Sequence, residues 1–422
     1  MTDLLRRWFV VPLWQRVLGA MAIGVVLGLA WPAATSAIAV IGELFVRLIR
    51  MLVVPIVFIS IASGVTALAD PRKLGSVGAR TIGLFAATTA CAVSIGIAVG
   101  LLLEPGAGAA LGTAVPHALG EAKSLHDQLV GIIPVNIVQS LVDGDMLAII
   151  FFSMLFGFGV ILAGEQGRPM ATLLQSAGQA LFHLVRIVME MTPFGVLALI
   201  AKAVADNGVA VFTHIGWLAV AVAAGVILQI LLVHLPLIAF VARQPVRRFY
   251  RKIVDALAVA FSTASSAATL PVALRIALED LRIAPGVAST VLPIGASIGK
   301  DGTAMYVGLL SIFALQAVGI DPDLPMLAII LLTGALAAFG TAPIPSASLF
   351  MLAAVLSSVG VSSEQTALVV GFILPFDRLL DMTRTVASAS ANLTVTAVVA
   401  RWEKGIEPEA DASPAPQPKQ AP

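Results

Sequence analysis

Apolar runs of about 20 residues alternate with short polar stretches along most of the chain, covering 12–31, 41–68, 79–103, 145–163, 179–204 and 214–242. About 20 apolar residues in helical form cross a ~30 Å hydrocarbon core. Helix is the expected form because backbone exposed to lipid must satisfy its own N–H and C=O groups. Charge in the polar stretches also alternates. Arg6, Arg7 and Arg16 lie before or at the start of the first run, Arg72, Lys73 and Arg80 cluster after the second, Arg168 follows the fourth, and Arg243, Arg247, Arg248, Arg251 and Lys252 follow the sixth. The intervening connections hold only Lys123 in 105–142 and no Lys or Arg in 32–42 or 205–213. The excess of basic residues on cytoplasmic loops places the N-terminus and every even-numbered exit in the cytoplasm. The first run continues to Trp31 with no small-residue cleavage site, which reads as a first span and not a cleaved signal.

Beyond residue 252 the pattern changes. Ala256–Phe261 is apolar, Ser262-Thr263-Ala264-Ser265-Ser266 interrupts it, and Ala267–Leu278 resumes. Neither half is long enough to cross, so a re-entrant hairpin is expected. A full span at 287–318 follows, interrupted at Gly295 and at Gly299-Lys300-Asp301-Gly302. The hairpin theme then repeats: Leu327–Phe339, a break from Gly340 through Thr341, Pro343, Ile344 and Pro345 to Ser348, and Leu349–Val359. A last span covers about 366–400. The fold class read from this order is an all-α polytopic membrane protein of eight transmembrane helices and two re-entrant helical hairpins. Paired interrupted segments in corresponding positions point to a transporter binding site, because unwound backbone lends its polar groups to a solute. The tail 403–422, rich in Pro, Ala and charge, is expected to be disordered and cytoplasmic.

Composition supports the membrane reading. Hydrophobic residues make up 59% of the 422 and charged residues 12%, about half the charged share of a soluble domain. A net charge of +1 gives no case for nucleic acid. The one cysteine, Cys91, reads as a buried small hydrophobe. The histidines His117, His126, His183, His214 and His234 show no HxxxH or HExxH spacing; they read as structural or interfacial, and no metal site or cofactor is expected from them.

The last span carries the chemistry. Asp377, Asp381, Arg384, Ser388 and Asn392 are spaced by four, three, four and four, which puts them on one helix face. Each mid-membrane charge costs about 2.5–3.5 kcal/mol on insertion scales, so three on one stripe require partners or a wet cavity. A structural Asp–Arg pair is the bland explanation. The functional one is that Arg384 forks onto a carboxylate, Asp381 meets an ammonium group, and Asp377 orients the guanidinium. In the seventh span Asp301, helped by Thr303, Ser297 and carbonyls freed at the glycines, is a candidate cation ligand. Two rival classes are a serine hydrolase, which has no histidine near its serine motifs in sequence, and a passive anion channel, which suits an occluded two-hairpin site poorly.

The motifs together resemble the dicarboxylate/amino acid:cation symporter family, which includes the glutamate transporters. They are Arg50–Phe58 in span two, Thr88-Thr89 in span three, Thr192–Ala201 in span five, Ser265–Pro271 in the first hairpin, Asp301–Tyr306 in span seven, Gly340–Ser346 in the second hairpin, and Asp377-x-x-x-Asp381-x-x-Arg384-Thr385 in span eight. The resemblance implies inverted repeats, a homotrimer, and an elevator-type transport domain moving against a scaffold. On that basis the scaffold would be 1–78 and 105–212, the transport domain 79–104 and 213–402, and the membrane the cytoplasmic (inner) one. The solute would be a small acidic amino acid such as glutamate or aspartate, with a sodium-coupled dicarboxylate or neutral amino-acid symporter as the alternative within the family. The candidate substrate-binding residues are Ser265, Ser266, Thr303, Ile344, Ser348, Asp377, Asp381, Arg384, Thr385 and Ser388. The candidate cation-coupling residues are Thr88, Thr89, Gly295, Ser297, Gly299, Lys300, Asp301, Thr341 and Asn392.

Four departures fall on the cation side. Sodium-coupled members carry asparagine at the position of Gly299, methionine at Lys300, asparagine at Ser388 and aspartate at Asn392. Two side chains of the cation cage and one carboxylate are lost and a fixed ammonium gained, so the expectation is lost or reduced Na⁺ coupling, with H⁺ coupling or ion-independent exchange in its place and one surviving Na⁺ site near Asp301 as the alternative. In the second hairpin Pro343 and Ser348 replace typical glycines.

Overall fold

A computed structural model describes residues 11, 13–66, 71–109, 130, 133–208, 211–341 and 347–403, and their regular structure is helical. The helices are α1 (Leu13–Ala30), α2 (Pro32–Thr66), α3 (Pro71–Leu103), α4 (Ile137–Asp143), α5 (Met146–Leu162), α6 (Arg168–Glu190), α7 (Thr192–Asn207) and α8 (Val211–Gln229). Two π turns, Ile230–His234 and Leu237–Val241, continue α8. Next come α9 (Val246–Thr263), α10 (Ser266–Arg275), α11 (Pro285–Ile298), α12 (Asp301–Ala317), α13 (Leu324–Phe339), α14 (Ala347–Ser358) and α15 (Ser363–Trp402).

Both expected hairpin interruptions are present as helix breaks, at Ala264-Ser265 between α9 and α10 and after Gly340 between α13 and α14, and the two helices of each pair pack on one another. The glycine-rich interruption likewise parts α11 from α12. The expected single span 179–204 does not form. The chain bends by 51° between Gly164–Val188 and Thr192–Lys202, and Pro193 stands in the first turn of α7, where proline is favoured but cannot extend a preceding helix. Helix α6 is amphipathic: Gln175, Gln179, His183, Arg186 and Glu190 recur at four- and three-residue steps, while Leu174, Val185 and Val188 are buried.

Two helical stretches, Val77–Leu103 and Phe212–Val241, are by themselves long and apolar enough to cross a membrane, and the bent α6–α7 pair is a third if taken together. Other helices qualify as shorter apolar segments. Large apolar side chains such as Val26, Leu102, Leu162, Phe240 and Leu324 lie on the exterior. An apolar exterior around a buried core is what a lipid-facing helix bundle requires.

The packing falls into two groups. Helices α1, α2, α5, α6 and α7 pack among themselves, while α3 packs on α8, α11, α12, α13 and α15. Every residue of α12 except Gln316 is buried, as is α15 from Ala387 to Ala400. Helices α3 and α12 approach one another closely. A Cβ at Gly96 would run into the Met305 carbonyl, and one at Gly308 would lie 2.7 Å from the Val93 carbonyl oxygen. Small residues of this kind let membrane helices come together backbone to backbone. The expected outcome for Gly308→Leu is a loss of about 1–3 kcal/mol from overpacking, read as a lower melting temperature of the purified protein. Gly83→Leu on the same α3, where a Cβ meets nothing within 4 Å, should leave the melting temperature near wild type; equal losses for the two would contradict the packing account.

Candidate functional site

The polar stripe of α15 is buried from end to end: Asp377 and Asp381 are at most 1% exposed, Arg384 3%, Ser388 2% and Asn392 7%. Its members meet the first turns of α12. Arg384 donates through Nη2 to Asp381 Oδ1 at 2.9 Å and through Nη1 to Thr303 Oγ1. Thr385 donates to the same Asp381 oxygen at 3.1 Å. The guanidinium carbon lies 5.2 Å from the centre of the Tyr306 ring, and Tyr306 donates its O–H to Asp377 Oδ1 at 2.9 Å. Asp377 therefore orients Arg384 through an intervening aromatic ring, a cation–π arrangement. Among the described residues, Arg384 Nε is buried without a hydrogen-bond partner, as is Ser348 Oγ at the start of α14. Unsatisfied buried donors are costly, about 1–3 kcal/mol each, and are where a solute with carboxylate oxygens gains most.

The backbone of α12 comes equally close to α15. Gly302 N–H donates to Ser388 Oγ at 3.1 Å, and any Cβ at Gly302 would collide with the Arg384 carbonyl. Lys300, 3% exposed, lies within electrostatic range of Asp381 and Arg384.

In the same turn, Asp301 is fully buried at the N-terminus of α12, where the helix dipole favours an anion. Thr88 and Thr89 of α3 each donate to its Oδ1 at 3.1 Å. Its Oδ2 accepts from Gln229 Nε2 at 3.1 Å and lies 3.3 Å from His234 Nε2. Two partners per oxygen fill the four lone-pair directions of a carboxylate, so a sodium ion at Asp301 would have to displace some of them. Among the described residues no group of three or more His, Cys, Asp or Glu could hold a metal ion.

His234 and Gln229 were not expected in the site. His234 reads from the sequence as structural or interfacial, yet it is fully buried, with Nδ1 3.0 Å from Ser390 Oγ, which lies 3.1 Å from Tyr250 O–H. Residues five apart on an α-helix point about 140° away from each other. Here Pro236 has no N–H to donate, and the flanking bonds run five residues back, Leu235 N to Ile230 O and Ala242 N to Leu237 O. The π turn brings the His234 and Gln229 side chains to 3.4 Å. A usable sign was present: a glutamine and a histidine inside a 30-residue apolar helix demand explanation as much as the aspartates of α15 do.

The remaining cation-side positions form a third cluster. With its amide turned to suit its neighbours, Asn392 donates to Gly295 O and Gly299 O at 3.2 Å each. A Cβ at Gly299 would press on this amide and on the Phe85 ring, so an asparagine there does not fit beside Asn392 and Phe85. Ser297 bonds back to Pro293 O at 3.1 Å and Thr341 to Ala337 O at 3.0 Å, each within its own helix. In the first hairpin Ser265 caps α10 by accepting from Ala268 N, Ser266 is buried, and Arg378 of α15 reaches the Thr263 carbonyl. Ile344 lies outside the described residues. Cys91, expected to be buried, is exposed on the outer face of α3, because the inner face of that turn is taken by Thr88, Thr89, Ala92 and Val93.

Asn392→Asp makes the third cluster testable. It would turn a donor facing two carbonyls into a carboxylate facing two carbonyls, which only a cation can reconcile. The variant should melt lower than wild type without sodium and rise again on adding it, while wild type shows no sodium-dependent shift. A sodium shift of equal size in both would contradict this assignment.

The model of the sodium:dicarboxylate symporter family matches residues 13–402. The chain is 33% identical over 400 residues to the proton/sodium-glutamate symport protein of Bacillus subtilis, covering 92% of each chain. It is 32% identical over 411 residues to the proton/glutamate-aspartate symporter of Escherichia coli, again covering 92% of each. It is also 32% identical over 411 residues to the C4-dicarboxylate transport protein of Rhizobium johnstonii, covering 94% of this chain and 90% of that one. All three are named as transport proteins and none as an enzyme, and on the extent of these matches the chain belongs to the sodium:dicarboxylate symporter family.

Proposed function

We propose that the protein is a secondary transporter of an acidic amino acid, driven by protons, in the cytoplasmic membrane with both termini in the cytoplasm. The observation that carries this reading is the buried Asp381–Arg384 pair beside an unpartnered Arg384 Nε. Without solute the two charges neutralise each other. A zwitterion with an extra carboxylate separates them and satisfies both, its carboxylate on Arg384 and its ammonium on Asp381. A plain dicarboxylate would take Arg384 and leave Asp381 as an uncompensated buried charge, which costs about 3–5 kcal/mol. Thr303, Ser388, Thr385, the two hairpin breaks at Ser265-Ser266 and Ile344, and Ser348 complete the proposed substrate shell.

Movement of the site follows the elevator scheme in this proposal. Helices α1, α2, α5 and α7, with 1–78 and 105–212, form a scaffold, assembled as a homotrimer. The unit 79–104 plus 213–402, with eight spans and two re-entrant hairpins in the whole chain, carries the solute. The denser packing within each of the two helix groups than between them supports this division. Proton in place of sodium is supported by the Asn392 amide on the Gly295 and Gly299 carbonyls and by the filled coordination of Asp301. Lys300 supplies a tethered positive charge where other members bind an ion.

Uptake of aspartate, glutamate and succinate by purified protein in vesicles, with sodium replaced by choline, tests the proposal. A pH gradient, acidic outside, should drive aspartate or glutamate accumulation; strict dependence on sodium would overturn proton coupling. Asp381→Asn should weaken aspartate by about 2–5 kcal/mol, as for one partner of a buried charge pair, and strengthen succinate, whose binding no longer strands a buried carboxylate. Equal losses for both solutes would show that Asp381 does not hold the ammonium group.

A further inference from the structure

We infer that Arg378 is a second carboxylate anchor of the solute site, holding one of the two carboxylates of an acidic solute while Arg384 holds the other. The inference rests on the acidic solute proposed above and assigns a residue to a charge which that proposal leaves without a counterion. An acidic amino acid brings two carboxylates and one ammonium group. Arg384 takes one carboxylate and Asp381 the ammonium, and a second carboxylate left unmet among buried groups is costly.

Arg378 stands where that carboxylate has to be met. It lies three residues before Asp381 and seven before Thr385, steps that share a helix face. Arg384 lies three residues after Asp381 and is bonded to it at 2.9 Å. Asp381 is therefore flanked along α15 by two guanidiniums, one engaged and one turned aside. Six residues at a rise of 1.5 Å separate the two arginines by about 9 Å along the axis, which leaves room for a short diacid to lie between their forks and alongside Asp381.

The compensation of Arg378 also differs from that of the other charges of the stripe. Asp377 accepts from Tyr306, and Asp381 and Arg384 compensate each other. Among the described residues Arg378 has one polar partner, the Thr263 carbonyl, 3.3 Å from Nη2, and no carboxylate within ion-pair range. A guanidinium has five N–H donors, so most of this one is open to an anion. Arg378 is half-buried where Arg384 is 3% exposed, which sets it nearer the exterior than the inner clamp.

Its partner belongs to the tip of the first hairpin. Thr263 ends α9, so its carbonyl is at the negative end of that helix and suits a cation. Ala264 turns the chain at φ 51°, Thr263 Oγ1 accepts from Ser265 N at 3.3 Å, and α10 starts at Ser266 with its positive end. A carboxylate on the open edge of Arg378 is then joined through the guanidinium to the hairpin, and solute binding ties the hairpin tip to α15. The structural alternative is that Arg378 only caps α9. The two roles differ in selectivity: loss of a cap weakens every solute alike, whereas loss of an anchor weakens only solutes that carry the carboxylate it holds.

Binding of aspartate, its two mono-amides, succinate and its mono-amide succinamate to the purified full chain separates them, read by calorimetry and, for weak solutes, by displacement of aspartate. Arg378→Gln should weaken aspartate and succinate by about 10- to 100-fold, as for one hydrogen bond to a charged group. It should weaken succinamate and one aspartate mono-amide by no more than about twofold, because there the carboxylate held by Arg378 is already missing. That mono-amide identifies the carboxylate. Equal losses for diacids and mono-amides, no loss for any, or loss of all binding in a folded variant would overturn the inference, since Arg384 and Asp381 remain in place. Should Arg378→Gln not fold, Arg378→Lys keeps the charge without the fork, and diacids should again lose more than the same mono-amides. Wild type that binds succinate and no acidic amino acid would count against the proposed function alone, and Arg378 is then judged on succinate against succinamate. Wild type that binds none of these solutes would overturn both.

Discussion

A carboxylate with no solvent exposure has to be compensated where it stands, and Asp301 is that carboxylate. Removing an ion from water costs several kcal/mol even after relaxation, while a hydrogen bond to a charged group returns about 1.5–3 kcal/mol. Several donors are therefore needed, and they come from two directions: Thr88 and Thr89 from α3, Gln229 and His234 from α8 and its π turn. Meeting that requirement fixes α3, α8 and α12 against one another. The backbone contact at Gly96 and Gly308 and the π distortion around Pro236 both serve to bring these side chains to one point.

The proposed solute clamp is built on the same turn of α12. Gly302 and Thr303 tie it to Ser388 and Arg384, so charge at Asp301 and geometry at Arg384 are properties of one small unit. The clamp is also self-neutralised, through Asp381. In this account the substitutions on the cation side belong together. Asn392 satisfies two carbonyls, and Gly299 makes room for its amide beside Phe85.

Much of this was legible from residue spacing. The α15 stripe was readable because steps of four and three name a helix face, and the burial of all five members follows. The hairpin interruptions and the break before Asp301 were readable because runs of Ser, Gly and Pro cannot continue an apolar helix in lipid. The partners of Asp301 on α8 were not, since a five-residue step joins two side chains only after a π turn. The bend at Met191 was missed because apolar content continues across it while Pro193 restarts the helix. The outward face of Cys91 depends on which side of α3 meets α12, which hydrophobicity alone does not encode when both sides are apolar.

The central claim is that one proton binds with the solute in place of sodium. Calorimetric titration of aspartate into the purified protein, without sodium and at one pH, in buffers of different ionisation enthalpy, measures the number of protons taken up on binding. The account predicts that the observed heat varies linearly with buffer enthalpy, with a slope between zero and one proton per aspartate that grows as the pH is raised. Binding heat that is independent of the buffer across the pH range, together with binding that appears only when sodium is added, would contradict it.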